Sequence, residues 1–365
     1  MVEGAAHRDI FIFRCAVPLT KTNKICLQIF RCAAPLGNLT ALLFWRDLGR
    51  SFNLNKMNNS SYLHRLFIYQ KERFPILAHG LLVASFSFSA IAYSRLCRGA
   101  IGFVDWKVYL LGIFTTITLF MLVRIFDEHK DAEDDAKYRS HLPVPRGLVS
   151  LLELKNIGIG IVILQVIVNA IFFPKMLWIY AIVIAYLCLM GKEFFAVEWL
   201  KKHQFWYITS HMFIIPLIDI YASGLDWLLE GVAAPKGLIF FFAVSYMNGI
   251  VLEVGRKIRT PETEAEGVLT YSSMLGVPKA IYLWISVLCV TLALSIAAAL
   301  YANHGSIAIV VLTICFIACV IPALLFLKNK TSKLAKTIEI MSAVWTIVMY
   351  LTLGGIPMLQ KLLGL

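Results

Sequence analysis

Charge is scarce in this chain: only 15% of its 365 residues are Asp, Glu, Lys or Arg. Hydrophobic residues make up 59%, and the mean hydropathy is +0.75. Those values exclude an ordinary soluble globular domain and point to a multi-pass membrane protein. No CxxC pair occurs among the 8 cysteines, so neither a zinc site nor a dithiol redox motif is indicated. Cys315 and Cys319 lie four apart within an apolar run and read as small packing residues. No basic motif is interleaved with aromatics, which argues against nucleic acid as a partner despite a net charge of +12. In membrane proteins Lys and Arg gather in cytoplasmic loops and at anionic headgroups instead.

Acids are also rare in residues 1–56, which hold only Glu3, Asp9 and Asp47 against eight bases between Arg8 and Lys56. This stretch reads either as an amphipathic targeting segment or as a dispensable upstream extension before Met57. The chain thus divides into a basic extension, 1–56, and a membrane domain, 57–365.

What the membrane domain does contain is apolar runs of spanning length. Nine are expected, at about Pro75–Tyr93, Lys107–Phe126, Leu154–Phe173, Met176–Gly191, Trp206–Ser223, Gly237–Leu252, Ala280–Tyr301, Ser306–Leu327 and Thr337–Gly355. The fold class is all-α, a transmembrane bundle. Loops after the even-numbered spans carry the positive charge, including Lys130, Arg139, Arg146, Lys192, Lys201, Arg256, Lys257 and Lys328. The opposite loops hold only Arg95, Arg98, Lys175 and Lys236. Positive-inside asymmetry therefore puts the N-terminus and the even loops in the cytoplasm and the C-terminus on the far side.

The second span ends in DEHKDAEDD, Asp127 to Asp135. Charge at the mouth of a membrane helix is costly and marks a functional site by default. On one continuous helix Asp127, Asp131 and Asp135 advance about 40° per step of four, with Glu128 at about 100°, so all four acids would share a face. Like charges so placed repel, and a cation would relieve them. Mg²⁺ suits carboxylate oxygens and often holds a phosphate as well. HLPVPRG, His141 to Gly147, then interrupts any helix. Ser150 and Glu153 read as a capping box opening the third span.

The loop after span six, on the same side, supplies Glu253, Arg256, Lys257 and Arg259, then Glu262, Glu264, Glu266 and the GVLT step Gly267–Thr270. Acids in one loop and bases in both would suit a Mg²⁺-diphosphate, with Arg or Lys on the remaining oxygens. Glu133, Glu262, Glu264 and Glu266 read more simply as solvated charge. His79 and His211 lie inside spans and read as packing residues. Asp219, within span five, is a further residue that could face a cavity.

DExxDxxxD at Asp127–Asp135 resembles the NDxxDxxxD motif of the UbiA superfamily of intramembrane prenyltransferases. HLPVPRGLVS resembles that family's RPLPxGxIS segment, and the resemblance covers about Tyr69 to Gly355. It implies nine helices around a central cavity open to the bilayer. It also implies Mg²⁺ held by Asp127, Glu128, Asp131 and Asp135, with Glu253 assisting. Arg256, Lys257, Lys192 and Arg146 would bind the diphosphate of a prenyl donor. Arg73, at the mouth of span one, either faces the cavity or anchors at headgroups. The implied reaction is transfer of the prenyl group to an aromatic or lipid acceptor, and the 24 Phe, 14 Tyr and 8 Trp could line the prenyl path. The second motif departs from the family: the GVLT step is kept, but bases stand at Arg256 and Lys257 where further acids are usual. That departure leaves room for a UbiA-type terpene cyclase. A cation-coupled transporter is the rival from another class. It would be marked by Gly/Pro-broken spans at matching positions, and the sequence has no clear pair of them.

Overall fold

The computed structural model describes residues 61–364. The 1–56 extension therefore lies outside the described residues. Within them the chain is helical, with no strand: α1 Tyr62–Arg73, α2 Ile76–Cys97, α3 Trp106–Lys130, α4 Ala132–Tyr138, α5 Leu151–Phe172, α6 Leu177–Gly191, α7 Val197–Lys202, α8 Gln204–Met212, α9 Ile214–Trp227, α10 Leu238–Arg256, α11 Tyr271–Leu275, α12 Val277–Tyr301, α13 Gly305–Lys328, α14 Ser332–Tyr350 and α15 Ile356–Leu363. Nine helical stretches among the described residues are long and apolar enough to cross a membrane. Three of them are compound: a 3₁₀ turn at Pro174–Met176 leads into α6, α8 runs into α9 past Phe213, and α14 runs into α15 through a π-turn at Leu351–Gly355.

The spans fall where hydropathy puts them, but several run past the apolar limits. The second continues to Lys130, the sixth to Arg256 and the ninth to Leu363. Backbone hydrogen bonding carries a helix on beyond its apolar stripe, so charged residues ride on the last turns. That extension keeps Asp127 on a helix, as expected, and places Glu253 on one rather than in a loop. Starts are set by local chemistry. Pro75 separates α1 from α2, as its ring disfavours helix in the residue before it. Asp105 caps α3 by accepting from the Lys107 N–H at 2.7 Å. The capping box at Ser150 and Glu153 is present, and residues 139–150 between α4 and α5 are turns.

The core forms where α10 packs on α12 and α14, and α2 packs on α9 and α14. Trp284 and Trp345 are fully buried there. Their indole N–H groups donate to Val251 O and Ser342 Oγ, and to Asn248 Oδ1, so neither is left unpaired. Gly255 lies so close to Ser342 and Trp284 that a Cβ could not fit, which lets the end of α10 sit against α14. Gly354 does the same against the Ser89 backbone of α2. α5 and α13 are the least buried spans, carrying Ile163, Ile167, Ile314 and Ile317 outward as a bilayer-facing surface requires.

Candidate active site

The acidic array sits where α3 gives way to α4. Asp131 is the junction residue, with φ −90° and ψ 6°, so the helix bends there instead of continuing. This corrects the expectation of one shared acidic face, because the four acids divide into two pairs. Side chains of Glu128 and Asp135 are 1% and 2% exposed, whereas those of Asp127 and Asp131 are 31% and 35% exposed.

The pairs have different principal cations, and Arg124 touches both, lying 3.9 Å from Asp127 as well as beside Glu128. Arg73, from the end of α1, reaches Glu128 at 2.5 Å and Asp135 at 3.8 Å. Arg124 meets Glu128 at 3.2 Å one turn below, and Arg139 meets Asp135 at 2.7 Å one turn above. Arg73 therefore faces the acids rather than serving as a headgroup anchor. The outer pair shares Lys130, 3.5 Å from Asp127 and 4.0 Å from Asp131. Lys130 in turn donates to the Tyr207 hydroxyl at 2.8 Å, which ties α3 to α8. Burial pushes the Asp131 carboxyl above its ordinary value, with Lys130 opposing. Burial raises Asp135 too, against Arg139 and Arg73.

The second motif closes on itself. Glu253, buried at the end of α10, accepts from Arg256 Nε at 2.6 Å and pairs with Lys257 Nζ at 2.7 Å. The Lys257 carbonyl accepts from the Tyr271 N–H at 3.1 Å, which holds the GVLT turn against α10. Gly267 of that turn has φ +73° and lies against the Tyr138 ring, where a side chain would collide. Thr270 caps α11, and its hydroxyl donates to Glu264 at 2.6 Å.

The two motifs meet at Tyr207. A cleft of about 40 Å³ is lined by Tyr207, Glu253, Lys257, Thr270, Tyr271 and Met274, among others. Its wall residue Tyr207 is the one bonded to Lys130 between Asp127 and Asp131. Asp127 also lies within electrostatic range of Arg256.

Other expected residues sit farther out. Arg146 pairs with Glu72 at 2.8 Å and donates to His141 O, on the rim beside α1. Lys192 is exposed, and no ion pair involves it among the described residues. It precedes an unusual turn: Glu193, Phe194 and Phe195 all have positive φ, at 47°, 53° and 58°. Each such L-residue costs on the order of 1–3 kcal/mol and persists only where its surroundings enforce it. The turn sets Phe194 against Tyr186 and His211. Sequence reasoning missed Arg124, Lys130 and Tyr207 as parts of the site. Of these, only Arg124 and Lys130 had a signal, their three- and four-residue spacing from the acids.

For a metal, the donors divide. Among the described residues no three acids converge into a closed metal site. Asp127 and Asp131 offer half-exposed hard oxygens on one side of Lys130, and Mg²⁺ is usually held by one or two carboxylates together with substrate phosphates. One oxygen of Glu128, Oε2, is buried with no hydrogen-bond partner. That set fits a Mg²⁺ shared with a phosphate. Glu253 fits less well, since its oxygens already face Arg256 and Lys257.

No protein-family model matches the sequence, and no curated protein does either. Solved structures do match in fold. A UbiA homolog from Aeropyrum pernix K1, in its apo form, superposes with a TM-score of 0.56 at 14% identity, covering 74% of this chain and 95% of that one. A structure concerned with digeranylgeranylglyceryl phosphate synthase in membranes superposes with a TM-score of 0.52 at 16% identity, covering 82% of this chain and 99% of that one.

Proposed function

We propose that this chain, a multi-pass membrane helical bundle with the fold of UbiA homologues, belongs to the UbiA superfamily and is a Mg²⁺-dependent intramembrane enzyme. It ionises a prenyl diphosphate and transfers the prenyl group to an acceptor. The observation that carries this reading is the meeting of the two charged motifs at Tyr207, far apart in sequence and on one cleft.

Asp127 and Asp131 would hold Mg²⁺ together with the diphosphate, with Glu128 and Asp135 behind them. When bound, the ion neutralises charge that develops on the departing diphosphate. Arg73, Arg124 and Arg139 pair with Glu128 and Asp135 and hold them in place. Lys257 and Arg256 bind diphosphate oxygens, and Glu253 aims them. The Arg256 side chain stays half-exposed while it pairs with Glu253. Lys192 and Arg146, at the rim, attract the anion on entry. This end of the bundle is the cytoplasmic one, by the distribution of positive charge.

A cleft of about 40 Å³ is far below the ~300–1,000 Å³ of small-molecule sites. The prenyl chain must therefore part the side chains around it. Bases at Arg256 and Lys257, where further acids would be expected, favour a second reading, cyclisation of the same substrate without an acceptor. Both reactions begin with loss of diphosphate. Purified protein given labelled prenyl diphosphates of several lengths should release diphosphate only with Mg²⁺. Absence of Mg²⁺-dependent release at every length would sink both readings, and product analysis separates transfer from cyclisation.

A further inference from the structure

His211 sits at the C-terminal end of α8, buried between the two charged motifs. Its Nδ1 lies 2.8 Å from the Tyr207 carbonyl, an oxygen that can only accept. The hydrogen of the neutral ring is therefore on Nδ1, and Nε2 carries the lone pair. That Nε2 is buried and has no hydrogen-bond partner. Most buried polar atoms in proteins are paired, so an unpaired one requires a reason.

The surroundings hold the ring firmly. It stacks on Tyr207 at 4.1 Å between centroids, and the Phe194 ring meets it edge-on at 6.0 Å. Tyr207 is the residue bonded to Lys130, and it lines the cleft with Glu253 and Lys257. Asp127, Glu253 and Lys130 all lie within electrostatic range of the imidazole, and among the described residues none of them pairs with it.

We infer that His211 is the base of the reaction, its Nε2 taking the proton that the nucleophile gives up. This rests on the prenyl diphosphate reading. The allylic C–O bond breaks and its electron pair leaves with the diphosphate. The nucleophile, a hydroxyl or an electron-rich aromatic carbon, forms the new bond to the allylic carbon with its own electron pair. Its O–H or C–H electrons then return to it, and the proton passes to Nε2. In cyclisation the same base removes a C–H proton next to the final cation, and those electrons form the double bond. The imidazolium then gives its proton to the released diphosphate or to water. Aromatic rings of Tyr207 and Phe194 beside the base stabilise the passing cation.

The test uses the full chain in phospholipid vesicles with Mg²⁺ and a labelled prenyl diphosphate series, with a phenol and a long-chain alcohol as probe acceptors. His211→Gln, which fills the space but cannot take a proton, should lower kcat by ~100-fold with KM for the prenyl diphosphate little changed. His211→Ala should be as slow, and added imidazole should partly restore it, which a purely structural role would not allow. Should His211→Gln fail to insert, His211→Asn, whose amide can still donate to the Tyr207 carbonyl, takes its place. Wild-type kcat in a well-folded Gln or Asn variant overturns the base, as does a change confined to KM. If wild-type protein releases no diphosphate from any prenyl diphosphate, the prenyl diphosphate reading fails and the inference with it.

Discussion

Lys257 stands four residues after Glu253, and the pair forms a 2.7 Å salt bridge where two acids would have repelled. The proposed diphosphate contact of Arg256 can be separated from its role as a topology signal. Arg presents a planar fork to phosphate oxygens, whereas Lys is a point charge. Arg256→Ala should therefore lose about 1.5–3 kcal/mol of substrate binding, Arg256→Lys should lose activity too despite keeping its charge, and wild-type kinetic constants in the Lys variant would remove Arg256 from the site. Asp131 and Asp135 give a different test. Burial raises both carboxyls above their unfolded value of 3.8. A raised carboxyl makes the folded state bind more protons, so each destabilises at neutral pH, and the penalty fades as pH falls through its raised value. A bound cation relieves the same penalty. Mg²⁺ should raise the melting temperature at neutral pH, less so on acidification, and not at all in Asp131→Asn, which should also lose turnover. Equal Mg²⁺ stabilisation of that variant would place the ion elsewhere. The acids stood out because charge at a membrane edge is costly, whereas the sequence left Arg73 between cavity and headgroups. Tyr207 was not, because its role comes from α8 lying against α3, and nothing local in FWYITSH encodes that contact.

At the scale of elements, hydropathy located all nine spans because bilayer thickness sets a minimum apolar length. It did not locate their ends, nor the bend at Asp131, where a single residue with ψ near 0° splits one acidic face into two. The left-handed turn at Glu193–Phe195 was equally hidden, since no glycine or asparagine marks it. The opposite end of the bundle has a feature that its sparse charge did not announce. Asp226, fully buried in α9, accepts from Ser94 at 2.8 Å, Arg95 at 3.0 Å and Arg98 at 2.7 Å, locking α9 to the end of α2. Glu230 meets the same two arginines, which hold its carboxyl below the usual range. Removing one partner from a buried ion network leaves the others unpaired, at a cost of about 3–5 kcal/mol. Asp226→Asn should lower thermal stability by that order while leaving Mg²⁺-induced stabilisation in place, because Asp226 is on the end of α9 away from α8. An unchanged melting temperature would show that the clamp contributes nothing.

For the whole molecule, the proposed chemistry fixes a direction. A diphosphate cannot cross the hydrocarbon core, so the site must open on the side where the charged substrate is found. We propose, from the bases after spans two, four, six and eight, that this side is the cytoplasm. The family resemblance starts after Met57, so deletion of residues 1–56, which lie outside the described residues, should leave turnover intact in a stably inserted protein. Orientation has its own test, independent of activity. Ser140 lies exposed in the turns after α4, and Ala234 lies exposed between α9 and α10. With the native cysteines replaced, Ser140→Cys should react with a membrane-impermeant thiol reagent only after the cells are opened. Ala234→Cys, carried at the far ends of α9 and α10, should react in intact cells. The reverse pattern would turn the molecule over. The charge asymmetry would then have to be read as substrate capture alone, and the diphosphate would have to arrive from the other side.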